Sequence, residues 1–316
     1  MSKNKIIFLY PTQFLQKDYE RFGVKYYLSN NVEIEIWNIT PYLKKKYYLL
    51  TKDNNDLNFK LSQICHKIFT SKEEIIESIR NEQKETKFFV FINYDIRSSF
   101  IFTELEQSKL VWGFVQMSSY PISNIKIKDK LKLASINPML IMQKFKNIYS
   151  NIIKKKNAPI PSFLILGGHL SASSQQSEIN KKTKIINTHQ FNYDQYIELL
   201  KNKCVSDDIP QENYLTYIDE MVPHHLDNYH SGINIPNCNE EIYYREINFL
   251  FKQIEKSTGK KIIILGYQKA KFLKINREQL FDGREIIYGK TNELIKYSDG
   301  VLMHNSTAVS FPVIYK

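Results

Sequence analysis

The chain has 316 residues, enough for two domains of ordinary size, each with its own core. A hydrophobic share of 42% and a charged share of 24% exclude a disordered or fibrous chain. The net charge of +11 would suit an anionic partner, but the excess is carried by Lys in a chain that is also heavy in Ile, Asn, Tyr and Phe, all read from A/T-rich codons. No nucleic-acid motif accompanies it, so no nucleic-acid partner is expected.

The three cysteines, Cys65, Cys204 and Cys238, are odd in number and widely spaced. That spacing excludes a disulfide framework and a cysteine zinc site, and fits a reducing compartment. The apolar run after Met1-Ser-Lys-Asn-Lys is too short for a secretory signal, and no stretch reaches the length that spans a bilayer. A cytoplasmic protein is expected, peripheral at most to the inner face of the membrane.

In chain order, Ile6 to Tyr10 reads as a buried strand and Val32 to Trp37 as a second, partly exposed one. Phe59 to Ile79 carries amphipathic helical stretches, with Ser71-Lys-Glu-Glu74 as a capping box. Phe88 to Ile92 is a strong buried strand and Val111 to Met117 a weaker one; Asn137 to Lys156 reads as a basic amphipathic helix. Ser162 to Leu166 and Thr183 to Asn187 are further strands. Beyond Pro210 come a strand at Tyr214 to Ile218, a long helix at Asn239 to Thr258, and strands at Lys261 to Leu265 and Arg284 to Tyr288. A helix at Thr291 to Tyr297 and a strand at Gly300 to Met303 close the series. Strands separated by helices argue for parallel sheets and an α/β class. The expected division is an N-terminal α/β domain over 1–200 and a C-terminal one over 201–316, the latter ending abruptly in an apolar segment, as a truncated domain would.

Four constellations offer chemistry. In Tyr217-Ile-Asp219-Glu220, followed by His224, His225, Asp227 and His230, two carboxylates and three histidines come just past a strand end, where α/β proteins present functional groups. Asp219 or Glu220 would serve as a general base. His225, Asp227 and His230 lack a helical HxxxH spacing for a metal, so neither metal nor cofactor is expected, and an ordinary polar loop remains an alternative. The strand ending at Gly266 runs into Tyr267-Gln268-Lys269-Ala-Lys271, a basic turn that would meet phosphate or simply be solvated. His304-Asn305-Ser306-Thr307 places an imidazole and hydroxyls where a strand opens toward a helix, an arrangement that binds phosphate or merely caps. Gly167-Gly168-His169 lacks GxGxxG and GxxxxGK[ST] spacing and reads as a flexible loop lining a cleft.

Residues from about Tyr214 to Tyr315 resemble the C-terminal part of bacterial surface-carbohydrate (capsule and lipopolysaccharide) biosynthesis proteins of the GT-B glycosyltransferase fold. Tyr217-Ile-Asp-Glu with Pro223-His-His-Leu-Asp227, Tyr243-Tyr-Arg-Glu-Ile-Asn-Phe-Leu-Phe-Lys-Gln-Ile-Glu-Lys-Ser-Thr-Gly259, Tyr288-Gly-Lys-Thr-Asn-Glu-Leu294 and Met303-His-Asn-Ser-Thr-Ala-Val-Ser-Phe311 carry the likeness. The layout is also similar to that of bacterial sialyl- and polysialyltransferases. The resemblance implies two Rossmann-like domains facing a cleft, with a glycan or lipid-linked glycan acceptor on the first and a nucleotide-sugar donor on the second. It implies inverting transfer of a sugar, such as a sialic-acid-like nonulosonic acid from a CMP-sugar. Asp219 or Glu220 would be the base, and Ser306 and Thr307, with His304 nearby, would hold the donor phosphate. Where that family has His-Pro after a strand, this chain has Tyr267-Gln268, which offers no proton of near-neutral pKa to the leaving phosphate. The alternative is therefore a non-catalytic GT-B-like binding subunit of a surface-polysaccharide pathway.

Overall fold

In the computed structural model the structure describes residues 4–52, 64–116, 159–168, 182–201, 209–210, 213–225, 238–267, 277–304 and 306–315. The expected helix at Asn137 to Lys156 lies outside them. The chain divides into two compact units: Met1–Tyr48 with Asn55–His189, and Leu49–Asn54 with Gln190–Lys316.

Among the described residues the first unit carries seven strands: β1 (Lys5–Tyr10), β2 (Glu33–Asn38), β3 (Cys65–Ile68), β4 (Lys87–Val90), β5 (Val111–Gln116), β6 (Phe163–Gly167) and β7 (Lys184–Thr188). Interspersed are α1 (Gln16–Arg21), α2 (Val24–Ser29), α3 (Thr40–Leu43), α5 (Lys72–Arg80) and α6 (Ser99–Gln107), while α4 (Lys45–Thr51) crosses from the first unit into the second at Leu49. Every described pairing is parallel, in the order β3-β2-β1-β4-β5-β6-β7.

The period-2 alternation of β1 sorts the core. Ile7 and Leu9 point to one face, where Ile75 and Ile79 of α5 and Ile101, Phe102 and Leu105 of α6 cover them. Ile6 and Phe8 point to the other, packed with Phe14 and Val24. A parallel strand covered on both faces reads as an unbroken apolar run, which is why β1 and β4 are evident in the sequence. Gly113 of β5 sits so close to β6 that a β-carbon there would collide with the Phe163 carbonyl.

Two expectations change here. β2 is buried along five of its six residues rather than partly exposed, because both faces of the sheet are covered there: Ile34 and Ile36 pack with Phe14 and Val24 on one side, and Trp37 with Phe69 and Ile75 on the other. Its one buried carboxylate, Glu35, is matched by Lys5 at 2.8 Å, Lys67 at 2.9 Å and the Trp37 indole N–H at 2.7 Å. Cys65–Ile68, expected within a helical stretch, is the edge strand β3; the helix begins only at Lys72, where Ser71 and Glu74 form the capping box.

The second unit contains α7 (Phe191–Lys201), β8 (Tyr214–Ile218), α8 (Glu240–Thr258), β9 (Lys261–Gly266), α9 (Arg277–Leu280), β10 (Ile286–Tyr288), α10 (Thr291–Tyr297), β11 (Gly300–Met303) and α11 (Ser310–Tyr315). Its sheet is parallel in the order β10-β9-β8-β11.

α8 buries Tyr244, Ile247, Asn248 and Phe251, a spacing of three, four and seven that makes one buried stripe, apolar but for Asn248, whose amide donates to the Leu280 carbonyl at 2.8 Å. Asn239 caps its start by accepting from the Ile242 N–H at 3.1 Å, and Gly259 at φ +69° ends it in the left-handed conformation. The stripe meets Ile262 and Ile264 of β9, while Ile263 and Leu265 on the opposite face meet Leu294 and Ile295 of α10 and Phe311 of α11. Among the described residues no helix is long and apolar enough to cross a membrane.

Candidate active site at the carboxyl edge of the second sheet

In β10-β9-β8-β11 the chain leaves β8 toward β9 and β10 on one side, then returns on the other side as β11. Ligands of open α/β sheets bind outside the carboxyl ends of the strands at such a reversal. The register pairs Ile218 with Met303, so Asp219 and His304 leave the sheet side by side.

The two carboxylates after β8 have separate fates. Asp219 still continues the ladder, its N–H donating to the Leu265 carbonyl at 3.1 Å. Its Oδ1 accepts from the Met221 N–H at 2.8 Å, across a tight turn that puts Met221 at φ +50°. Its Oδ2 forms an ion pair with Arg277 at the head of α9, and neither side chain reaches solvent, with exposures of 0% and 4%. Burial pushes the Arg277 guanidinium down from its ordinary pKa, with Tyr288 and Tyr217 opposing the shift. A carboxylate sealed against a guanidinium cannot take a proton from a substrate hydroxyl without breaking the pair. Of the two base candidates, Asp219 is the one that ties β8 to α9 through this pair. Glu220, the next residue, is only half-buried, and burial together with its negative charge raises the pKa of the nearby Tyr217 and Tyr243 hydroxyls.

Three aromatic polar groups line up beside it. The Tyr217 hydroxyl lies 2.8 Å from that of Tyr243, which lies 3.0 Å from Nε2 of the exposed His304. Tyr217 is in the core beneath, its ring 4.9 Å from Phe251, so the chain runs from buried interior to the surface of the crevice. His224 Nε2 is 2.9 Å from Glu240 at the start of α8, and His225 stacks on Tyr267 with ring centroids 5.5 Å apart.

The turn after β11 takes the expected form of a strand opening into helix. Ser306 caps a 3-10 turn at Thr307–Val309, its Oγ accepting from the Ala308 N–H at 3.3 Å, and α11 follows with six residues. One lone pair of Ser306 is spent as a cap, while its O–H retains the chemistry of a donor. The turn is tied to α7: Asn192 donates to the Thr307 carbonyl at 2.8 Å and to Ser310 Oγ at 2.6 Å. Asn292 of α10 and Tyr315 of α11 are joined at 2.6 Å.

Of the other expected site residues, Gln268, Lys269, His169 and Asn305 lie outside the described residues, as do Lys271, Asp227 and His230 of the same constellations. Gly167 ends β6 and Gly168 follows at φ +97°, both in the first unit. Among the described residues no three His, Cys, Asp or Glu side chains converge as a metal site. Two concavities of the second unit lie elsewhere: one of about 530 Å³ at the amino edge, including Tyr214, Lys261 and Arg284, and one of about 520 Å³ along α8 and α9. Arg277, Tyr243 and Asn192 were given no role from the sequence, Tyr243 entering only within a quoted phrase; each acts on a partner tens of residues away, where no local spacing announces it.

No protein-family model and no curated protein matches the sequence. Solved structures do. UGT2 of Phytolacca americana, complexed with UDP-2-fluoro-glucose and pterostilbene, superposes with a TM-score of 0.53 at 10% identity, covering 100% of this chain and 79% of that one. The wall teichoic acid polymerase TagF gives a TM-score of 0.48 at 9% identity over 99% of this chain and 68% of that one. The calicheamicin glycosyltransferase CalG4 gives 0.46 at 8% over 98% and 77%. The chain has a GT-B fold. At these identities the likeness is one of fold, and it extends over the whole chain, whereas the sequence resemblance covered its last third.

Proposed function

We propose that the chain is a nucleotide-sugar-dependent glycosyltransferase whose donor sits at the carboxyl edge of the second sheet, over the β8–β11 reversal. The observation that carries this reading is the gathering of Glu220, Tyr243, His304 and Ser306 at that reversal, within a fold shared over the full chain with a structure holding a UDP-sugar. In this reading Glu220 accepts the proton of the acceptor hydroxyl as its oxygen attacks the anomeric carbon. The anomeric C–O bond to the nucleotide breaks, and its electron pair stays on the departing phosphate oxygen. His304 N–H and Ser306 O–H donate hydrogen bonds to that oxygen, stabilising charge where it develops. The stereochemical course is inversion, the acceptor a bacterial surface glycan, and the donor a CMP-nonulosonic acid or a UDP-sugar. Asp219 and Arg277 hold the loop that presents Glu220.

The Tyr267–His225 stack favours a second reading. The Tyr267 ring at the end of β9, stacked with the His225 imidazole, offers an aromatic platform for a base, which suits a subunit that binds nucleotide without turnover.

Thermal shift against UDP, CMP, GDP and ADP tests the reading, because a ligand selective for the folded state raises its stability by mass action. A selective shift that is lost in a His304→Gln, Ser306→Ala double variant supports the site, and transfer of labelled sugar from the matching donor then separates the two readings. No shift with any of the four removes it.

A further inference from the structure

Tyr217 is 2% exposed, and its hydroxyl has the Tyr243 hydroxyl at 2.8 Å. A buried hydroxyl proton without an acceptor is costly, whereas an unused lone pair is less so, and Tyr217 therefore spends its proton on Tyr243. Tyr243 then has its own proton to place, and His304 Nε2 stands 3.0 Å away. The order of donation runs outward, from core to surface: Tyr217 to Tyr243 to His304. Nε2 is thereby an acceptor, and the proton of the neutral imidazole resides on the other ring nitrogen.

We infer that the Tyr217–Tyr243 relay fixes His304 as its Nδ1–H tautomer, with Tyr243 as a positioning residue that turns the imidazole into a hydrogen-bond donor for an anionic ligand oxygen. The assignment of that oxygen to a donor phosphate rests on the functional reading above; the tautomer does not. The ring is held at two points, by the hydrogen bond to Tyr243 and by its edge-on seat over Tyr217, with centroids 6.1 Å apart at 86°. The group hydrogen-bonded to one ring nitrogen sets what the other can do. A flexible surface histidine presents either nitrogen to a ligand and loses part of its binding to reorientation. The relay removes that choice before any ligand arrives.

The test is long-range proton–nitrogen NMR on the full chain labelled with 15N-histidine, above the pH at which histidines carry charge. The His304 signals are assigned by their absence in His304→Gln. The expected result is a pyrrole-type Nδ1 and a pyridine-type Nε2 for His304. In Tyr243→Phe, which removes only a hydroxyl, the population moves toward Nε2–H, the form that free histidine favours in water. A wild-type His304 protonated on Nε2 overturns the inference, and so does a tautomer that Tyr243→Phe leaves unchanged. The wild-type spectrum decides the matter even where the variant does not fold. Titrating UDP and then CMP into the same sample tests the other half. If the tautomer is as inferred but neither nucleotide moves the Nδ1–H signal, the phosphate reading fails and the relay stands.

Discussion

Asp219 and Glu220 are adjacent in sequence and yet differ in everything that decides chemistry. Asp219→Asn leaves Arg277 buried beside a neutral amide, and breaking such a pair from one side costs about 3–5 kcal/mol. The expected outcome is a large fall in the denaturation midpoint in urea. Glu220→Gln is expected to leave that midpoint unchanged and to reduce sugar transfer at least about 100-fold, the scale of a lost general base. Equal destabilisation by the two substitutions would remove the division of labour drawn between them.

A second carboxylate makes a pH prediction. Burial by itself would raise the pKa of Glu35, but Lys5, Trp37 and Lys67 outweigh it and hold the carboxyl below the ordinary glutamate value. A depressed folded pKa means that the charged pairing stabilises the fold fully above the unfolded value and is lost as pH falls through the folded one. The difference in melting temperature between wild type and Glu35→Gln should therefore be constant near neutrality and shrink below the ordinary glutamate range. A difference that widens on acidification would contradict the pairing.

At the scale of elements, α8 is the best-specified piece of the molecule. Asn239→Ala should cost about 1 kcal/mol through the lost cap. Phe251, fully buried between α8 and β9, should cost about 3–5 kcal/mol on replacement by Ala. Urea titration of the two variants checks the ranking, and a reversed order would mean that packing is not what holds this helix.

The same element shows what was legible. Tyr244, Ile247 and Phe251 at helical spacing, a capping Asn and a closing Gly state the helix locally, and the Lys261 to Leu265 run states the strand that it covers. β3 was not legible, because four residues on a sheet edge are too few for a period, and just three residues separate it from the true helix α5. α7 went unread as well, with Leu199 as its buried residue and little apolar pattern; its tie to the Thr307–Ser310 turn places it with the second unit rather than the first. Within the candidate site, Glu220, His304 and Ser306 were visible as types that end strands and open helices. Tyr243 was not, since its partner His304 lies 61 residues away and nothing at that separation marks the pair.

For the whole molecule, nucleotide binding should be a local event. With UDP, or whichever nucleotide shifts the melt, hydrogen exchange should slow in peptides covering Asp219–His225 and Met303–Ser310 and stay unchanged in those covering β1 and β4. At 100 times its dissociation constant a ligand adds about 2.7 kcal/mol to the state that binds it, ample for detection. Protection spread evenly over β1 and β4 would place the ligand elsewhere.

The pairing of β8 with β11 also sets an order of events in time. Thr216 meets Gly300 across 84 residues of chain, so the two walls of the crevice are joined by a contact of long range. Closing so long a loop is entropically slow, and contacts of this range form late. In a refolding experiment the helical signal of α8 should therefore recover first and ligand capture last, leaving a brief population that is compact, helical and unable to bind.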